Sequence, residues 1–248
     1  MSNVWTVLLL SLLPGAGNFL GAIAAEVRKP SPRFLNWALH AASGIIIAIV
    51  AVELMPNALG KLAGWWVALA FAAGGVAYLV LEALVERLQG SNGGGERNRM
   101  WMIYAAVAVD LTSDGLMIGT GAAVSSTLAL ILAAGQVLAD VPEGYATVAN
   151  FRDKGVPRAK RLLFTSSFFL YVVGSAMASY FLLRDAPEQM KMAGLVFVAG
   201  LLTVAGVEDM LEEAHQAHTD SRRSVLAFVG GFTLFTLVSA GLGTLVGQ

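Results

Sequence analysis

Apolar residues run through this chain in long stretches, interrupted by short polar or Gly/Pro-rich breaks. A helix needs roughly 20 apolar residues to cross the hydrocarbon of a bilayer. Cutting at the breaks predicts eight such helices, at about 4–26, 34–58, 62–87, 100–121, 123–152, 158–183, 188–214 and 222–246. The breaks have the chemistry of turns: Arg28-Lys29-Pro30-Ser31-Pro32-Arg33, the run 88–99 with its three glycines Gly93, Gly94 and Gly95, and the stretch from Arg152 to Arg161. The turn near Ala122 is the least marked. The expected architecture is an all-α integral membrane protein, one membrane domain over 1–248, with 88–99 as a cytoplasmic loop.

Composition agrees with this pattern. Hydrophobic residues make up 56% and charged residues 13% of the chain, about half the charged share of a soluble domain. The net charge of −1 gives no field that would draw nucleic acid, so none is expected as a partner. The absence of cysteine excludes disulfides, thiolate metal sites and cysteine nucleophiles. With only His40, His215 and His218 as imidazoles, a metal site would rest on oxygen ligands. The first apolar segment lacks the positive n-region of a signal peptide, since Met1 to Asn3 holds no Lys or Arg. It is expected to be a retained helix.

Lysine and arginine give an orientation. The turns after helices 1, 3, 5 and 7 hold 13 of them, and those after helices 2, 4 and 6 hold 3. Both termini should therefore lie outside the cytoplasm, and the short loops suit a bacterial inner membrane. Trp5, Trp37, Trp65, Trp66 and Trp101 fall near helix ends, as an aromatic belt would. The chain also carries an internal echo. Gly44 precedes Glu53 by nine residues in helix 2, and Gly200 precedes Asp209 by nine in helix 7. Two three-helix units of opposite orientation flanking helices 4 and 5, a 3+2+3 arrangement with an inverted repeat, would produce that echo.

The chemistry concentrates in helices 4 and 5. Asp110 and Asp114 are spaced i, i+4, and Asp140 and Glu143 are spaced i, i+3, so each pair shares a helix face. Gln136 lies a turn before Asp140, and Ser113 adds a neutral oxygen beside Asp114. Ionisable groups at membrane depth are costly and mark ion pathways more often than not. Four carboxylates together need a counter-charge, and neither helix has a Lys, Arg or His in its interior. A divalent cation would supply it. Pro142 has no backbone N–H, which frees the carbonyl of Leu138 at the same level. Glu53, Glu208 and Asp209 are expected to mark the two ends of the pathway. Glu82 and Glu86 are expected at the interface, and His215 and His218 at a solvated helix end. The structural alternative makes the four acids protonated glue between helices.

The helix 4 stretch Asp110-Leu111-Thr112-Ser113-Asp114-Gly115 and the helix 5 stretch Ala139-Asp140-Val141-Pro142-Glu143-Gly144 resemble the ZIP (Zrt/Irt-like) family of divalent-metal transporters. That family carries a motif like His-Asn-x-Pro-(Asp/Glu)-Gly in both helices. Helix 2 with Glu53 before Leu-Met-Pro, the end of helix 3, and the stretch through Asn150 to Lys154-Gly155 are similar too. The resemblance implies eight helices, outward termini and metal transport. The chain departs from the family motif at both histidines, which are Asp110 and Ala139, at Leu111 and Ser113, and in helix 6. There Phe168 to Gly174 holds no glutamate.

The expected function is therefore a ZIP-like carrier taking a divalent cation, zinc, manganese, iron or similar, toward the cytoplasm. Asp110, Asp114, Asp140 and Glu143 would be ligands, with Gln136 and Ser113 as helpers. An all-oxygen site suits Mg²⁺, Mn²⁺ or Ca²⁺, and imidazole suits Zn²⁺. No bound cofactor is expected. The metal ion is substrate, membrane lipids are the surroundings, and a homodimer is allowed. No enzymatic activity is expected. Two rivals stand beside this reading: a transport-inactive metal sensor or scaffold, and an intramembrane aspartyl protease.

Overall fold

The computed structural model describes residues 3–28, 31–90, 96–218 and 221–246, apart from the side chains of 86, 88–90, 96–99, 209 and 246. Among the described residues every regular element is helical. Eight helices are long and apolar enough to cross a membrane. They are α1 (Val4–Val27), α2 (Pro32–Leu59), α3 (Gly64–Gly90), α4 (Glu96–Val124), α5 (Ser126–Asp153), α6 (Arg158–Leu183), α7 (Glu188–Ala217) and α8 (Arg222–Val246). The protein is a multi-pass membrane protein.

Local chemistry sets the helix ends. The Asn3 side chain accepts from the backbone of Thr6 at 2.7 Å, and Ser31 caps α2 with Pro32 in its first turn. Both satisfy N–H groups that a helix start leaves open. The turn expected near Ala122 lies at Ser125, whose hydroxyl accepts from the backbone of Leu128 at 3.0 Å. Ala122 itself stays inside α4. At the end of α5, Gly155 takes a positive φ of 69°. Gly155 N–H bonds to Arg152 and Val156 N–H to Phe151, a Schellman closure that favours glycine.

Two helices depart from α geometry at matching places. A π segment covers Ile49–Leu54 in α2, and another covers Ala205–Asp209 in α7. Each begins five residues after the echoed glycine, Gly44 or Gly200. Those glycines also make equivalent contacts. A β-carbon on Gly44 would collide with the Phe228 carbonyl of α8, and one on Gly231 with Ala41 of α2. In the same way Gly200 meets Phe71 of α3, and Gly74 meets Phe197 of α7. The short sequence echo thus coincides with a shared helix deformation and a shared glycine contact.

Helix contacts run across the expected three-helix units. The most extensive pairings are α1 with α5, α4 with α6, α2 with α8 and α3 with α7. One group therefore contains α1, α4, α5 and α6, and the other α2, α3, α7 and α8. An ion-pair knot ties the first group at its Arg-rich end. Arg161 of α6 grips Glu26 of α1 at 2.5 and 2.7 Å, and Arg152 of α5 donates to the Ala25 carbonyl of α1. The groups meet in a core of Ile45, Ile46 and Ile49 with Met117, Ile118, Leu132, Leu195 and Phe235. Helices α3 and α8 lie at the periphery, where Leu69, Val76, Leu79, Val225, Leu226 and Leu237 are exposed, as lipid-facing positions would be.

Candidate functional site

Asp110 is the central residue of α4, and Asp140 lies at the centre of α5. The two helices are antiparallel, so their acids meet at mid-span. Asp110, Ser113, Asp114, Gln136, Asp140 and Glu143 are all buried, with Asp114 and Asp140 fully so. The carboxyls come in two pairs. Asp110 faces Glu143 across the two helices, and Asp114 faces Asp140. The Gln136 amide N–H donates to Asp114 Oδ1. Among the described residues no three His, Asp or Glu side chains close on one point as a preformed metal site would. The four carboxylates expected from the sequence lie within electrostatic reach of one another, facing in two pairs across α4 and α5.

Sequence reasoning missed a third helix. Asn18 of α1 is fully buried, and its amide N–H donates to Glu143 Oε2 at 3.4 Å. The signal was present: Asn18 is a lone amide in the middle of an apolar segment, flanked by Gly17 and Gly21. Five buried side-chain oxygens here have no hydrogen-bond donor: Asn18 Oδ1, Asp114 Oδ2, Gln136 Oε1 and both oxygens of Asp140. Buried polar atoms are normally satisfied, so five of them on neighbouring residues of α1, α4 and α5 mark the site. The Ser113 hydroxyl is directed elsewhere, donating to the Val109 carbonyl at 2.9 Å.

A cavity of about 390 Å³ reaches the inner pair. Asp110 and Glu143 line its depth, followed by Thr147 and Asn150 on α5, Glu82 on α3, and Met210, Glu212, Glu213 and Gln216 on α7. Asn150 donates to Glu213 at 2.5 Å. A second cavity of about 530 Å³ continues past Asn150 and Glu213 to Leu35, Arg152 and Asp153. The path therefore opens at the end that carries the Arg-rich turns. In the opposite direction Met117, Ile118, Leu128 and Leu132 close it.

Of the residues expected to mark the pathway ends, those with described side chains line neither of these two cavities. Glu208 is exposed and lines neither cavity. The backbone of Asp209 ends the π segment, and its side chain lies outside the described residues. Glu213, one turn further on, takes the position on the path. A π turn holds an extra residue and so rotates everything after it by about 100° relative to an α register. Glu53 accepts from the Ser239 hydroxyl of α8 and lines neither cavity. Glu82 belongs to the path, while the side chain of Glu86 lies outside the described residues. His40 and His215 face each other with ring centres 5.8 Å apart, and the Arg33 guanidinium donates to His218 Nε2 at 3.4 Å. These contacts join α2 to α7 at the Arg-rich end.

Eight apolar helices around a carboxylate-rich interior define a multi-pass membrane protein with ionisable groups at mid-span. No family model matches the chain. A stretch of 53 residues is 45% identical to the zinc transporter ZupT of Enterobacter sp. (strain 638), covering 21% of this chain. The match spans 21% of that transporter's own length.

Proposed function

We propose that this protein is a ZIP-like carrier that moves a divalent metal cation through the bilayer toward the cytoplasm. Asp110, Asp114, Asp140 and Glu143 are its primary ligands, with Gln136 in support. One observation carries the reading: buried oxygens without donors gather at mid-span around two carboxylate pairs. No Lys, Arg or His lies in the central turns of α4 or α5. Like charges at this depth cannot all ionise unless a cation joins them. Both the partial match to a zinc transporter and the motif resemblance favour metal as that cation.

The cavity fits a release state. With the Arg-rich turns on the cytoplasmic side by the positive-inside rule, the path from Asp110 and Glu143 past Asn150 and Glu213 leads inward. The apolar seal at Met117 and Leu132 then blocks the outer side. Alternating access would need that seal to open while the inner cavity closes. Helix packing favours a boundary between the α1, α4, α5, α6 group, which bears the ligands, and the α2, α3, α7, α8 group.

A transport-inactive sensor is the second reading, and it is favoured by the described side chains, of which no three acids or histidines close on one point. Uptake of Zn²⁺, Mn²⁺ and Fe²⁺ into proteoliposomes tests both. The carrier reading expects saturable uptake that Glu143→Gln abolishes. Metal binding without flux supports the sensor, and neither binding nor flux removes both readings.

A further inference from the structure

We propose that Asn18 of α1 is a direct ligand of the transported ion, completing an all-oxygen donor set. The inference deepens the transport reading and rests on it.

Asn18 is held against the site from two sides. A β-carbon on Gly17 would lie 3.3 Å from Asp140 Cβ, and one on Gly144 would run into the Asn18 backbone. The side chain of Asn18 is thus fixed beside the α5 turn that bears Asp140 and Glu143. Its amide repeats the arrangement of Gln136. In each, the N–H₂ end faces a carboxylate, Glu143 for Asn18 and Asp114 for Gln136, and the carbonyl oxygen has no donor. An amide oriented by its N–H on an acid presents its oxygen to whatever neutralises that acid. Full burial excludes bulk water as the partner. A cation satisfies both ends of the arrangement at once.

The donors are all oxygens: carboxylates from Asp110, Asp114, Asp140 and Glu143 and amide carbonyls from Asn18 and Gln136. Helix α6 meets α4 through Val172 and Ala176 and adds no charged donor. The three histidines are engaged at the Arg-rich end. Oxygen sets favour hard ions, whereas Zn²⁺ gains most from imidazole or thiolate. Mg²⁺ sheds its water reluctantly, and Ca²⁺ takes six to eight oxygens. An all-oxygen set therefore narrows the advantage that Zn²⁺ holds over Mn²⁺ without reversing it.

The test uses full-length protein in detergent, with Mn²⁺ binding read from the EPR signal of free Mn²⁺ and Zn²⁺ as competitor. Asn18→Leu keeps the size of the side chain and removes its oxygen, and should weaken Mn²⁺ binding about tenfold or more. Asn18→Asp restores an oxygen and should restore binding. Asn18→His supplies imidazole and should move the Zn²⁺/Mn²⁺ preference toward Zn²⁺ by about tenfold. Wild-type affinity in Asn18→Leu, together with lost binding in Asp140→Asn, would overturn the role of Asn18 and leave the transport reading standing. No binding by the wild type would overturn the transport reading itself. Should Asn18→Leu fail to fold, the Asp and His variants decide, since an unchanged Zn²⁺/Mn²⁺ ratio in both contradicts the proposal.

Discussion

Gly144 of α5 lies directly against Asn18 of α1, so closely that a β-carbon at Gly144 would overlap the Asn18 carbonyl. One residue before this contact stands Glu143, which accepts from the Asn18 amide. A structural contact and a chemical one therefore share a single helix turn. Gly21 meets the Val141 carbonyl in the same interface.

Gly144→Ala should push α1 from α5 and disturb the site together with the fold. Overpacking of this kind costs about 1–3 kcal/mol, and metal binding should fall with it. Gly174→Ala is the control, because a β-carbon there meets nothing within 4 Å. It should leave binding intact and raise stability by about 0.5–1 kcal/mol through helix propensity. Thermal unfolding in detergent, paired with metal titration, checks both variants.

The Glu26–Arg161 pair should act as a clasp within the ligand-bearing helix group. Arg161→Gln removes hydrogen bonds to a charged carboxylate and should cost about 1.5–3 kcal/mol. Glu26→Gln combined with Arg161→Gln should cost less than the two single changes together, as coupled partners do. Additive losses in a double-mutant cycle would show that the two side chains do not act as a unit.

Because the chain has no cysteine, single-cysteine labelling reads the cavity cleanly. Thr147→Cys and Gln216→Cys should react with a membrane-impermeant thiol reagent from the side bearing the Arg-rich turns. Bound metal should slow the reaction at Thr147. Leu132→Cys, inside the apolar seal, should resist the reagent from both sides in this conformation. Reaction of Thr147→Cys from the opposite side alone would reverse the direction of the cavity.

Much of this was legible along the chain. Eight apolar runs matched eight helices because span length is a property of composition. The pairs Asp110/Asp114 and Asp140/Glu143 share faces because helical spacing is local. The Gly44–Glu53 and Gly200–Asp209 echo pointed at two segments that both deform into π turns. What escaped depended on tertiary register. Asn18 has no local partner, and its contact with Glu143 crosses 125 residues, so spacing cannot reveal it. Glu213 lines the path and Glu208 does not, because the π turn before Glu213 adds a residue that helical spacing does not count. The union of α2 with α8 and α3 with α7 came from glycine contacts between helices distant in sequence, which hydropathy does not encode.

The central claim is that the mid-span oxygens exist to hold a cation. Anomalous X-ray scattering from crystals grown with Mn²⁺ tests it most directly. The account predicts a peak in contact with Asp114 Oδ2 and Asp140, absent in Asp140→Asn. Peaks confined to the loops, with Asp114 and Asp140 left bare at saturating Mn²⁺, would contradict it.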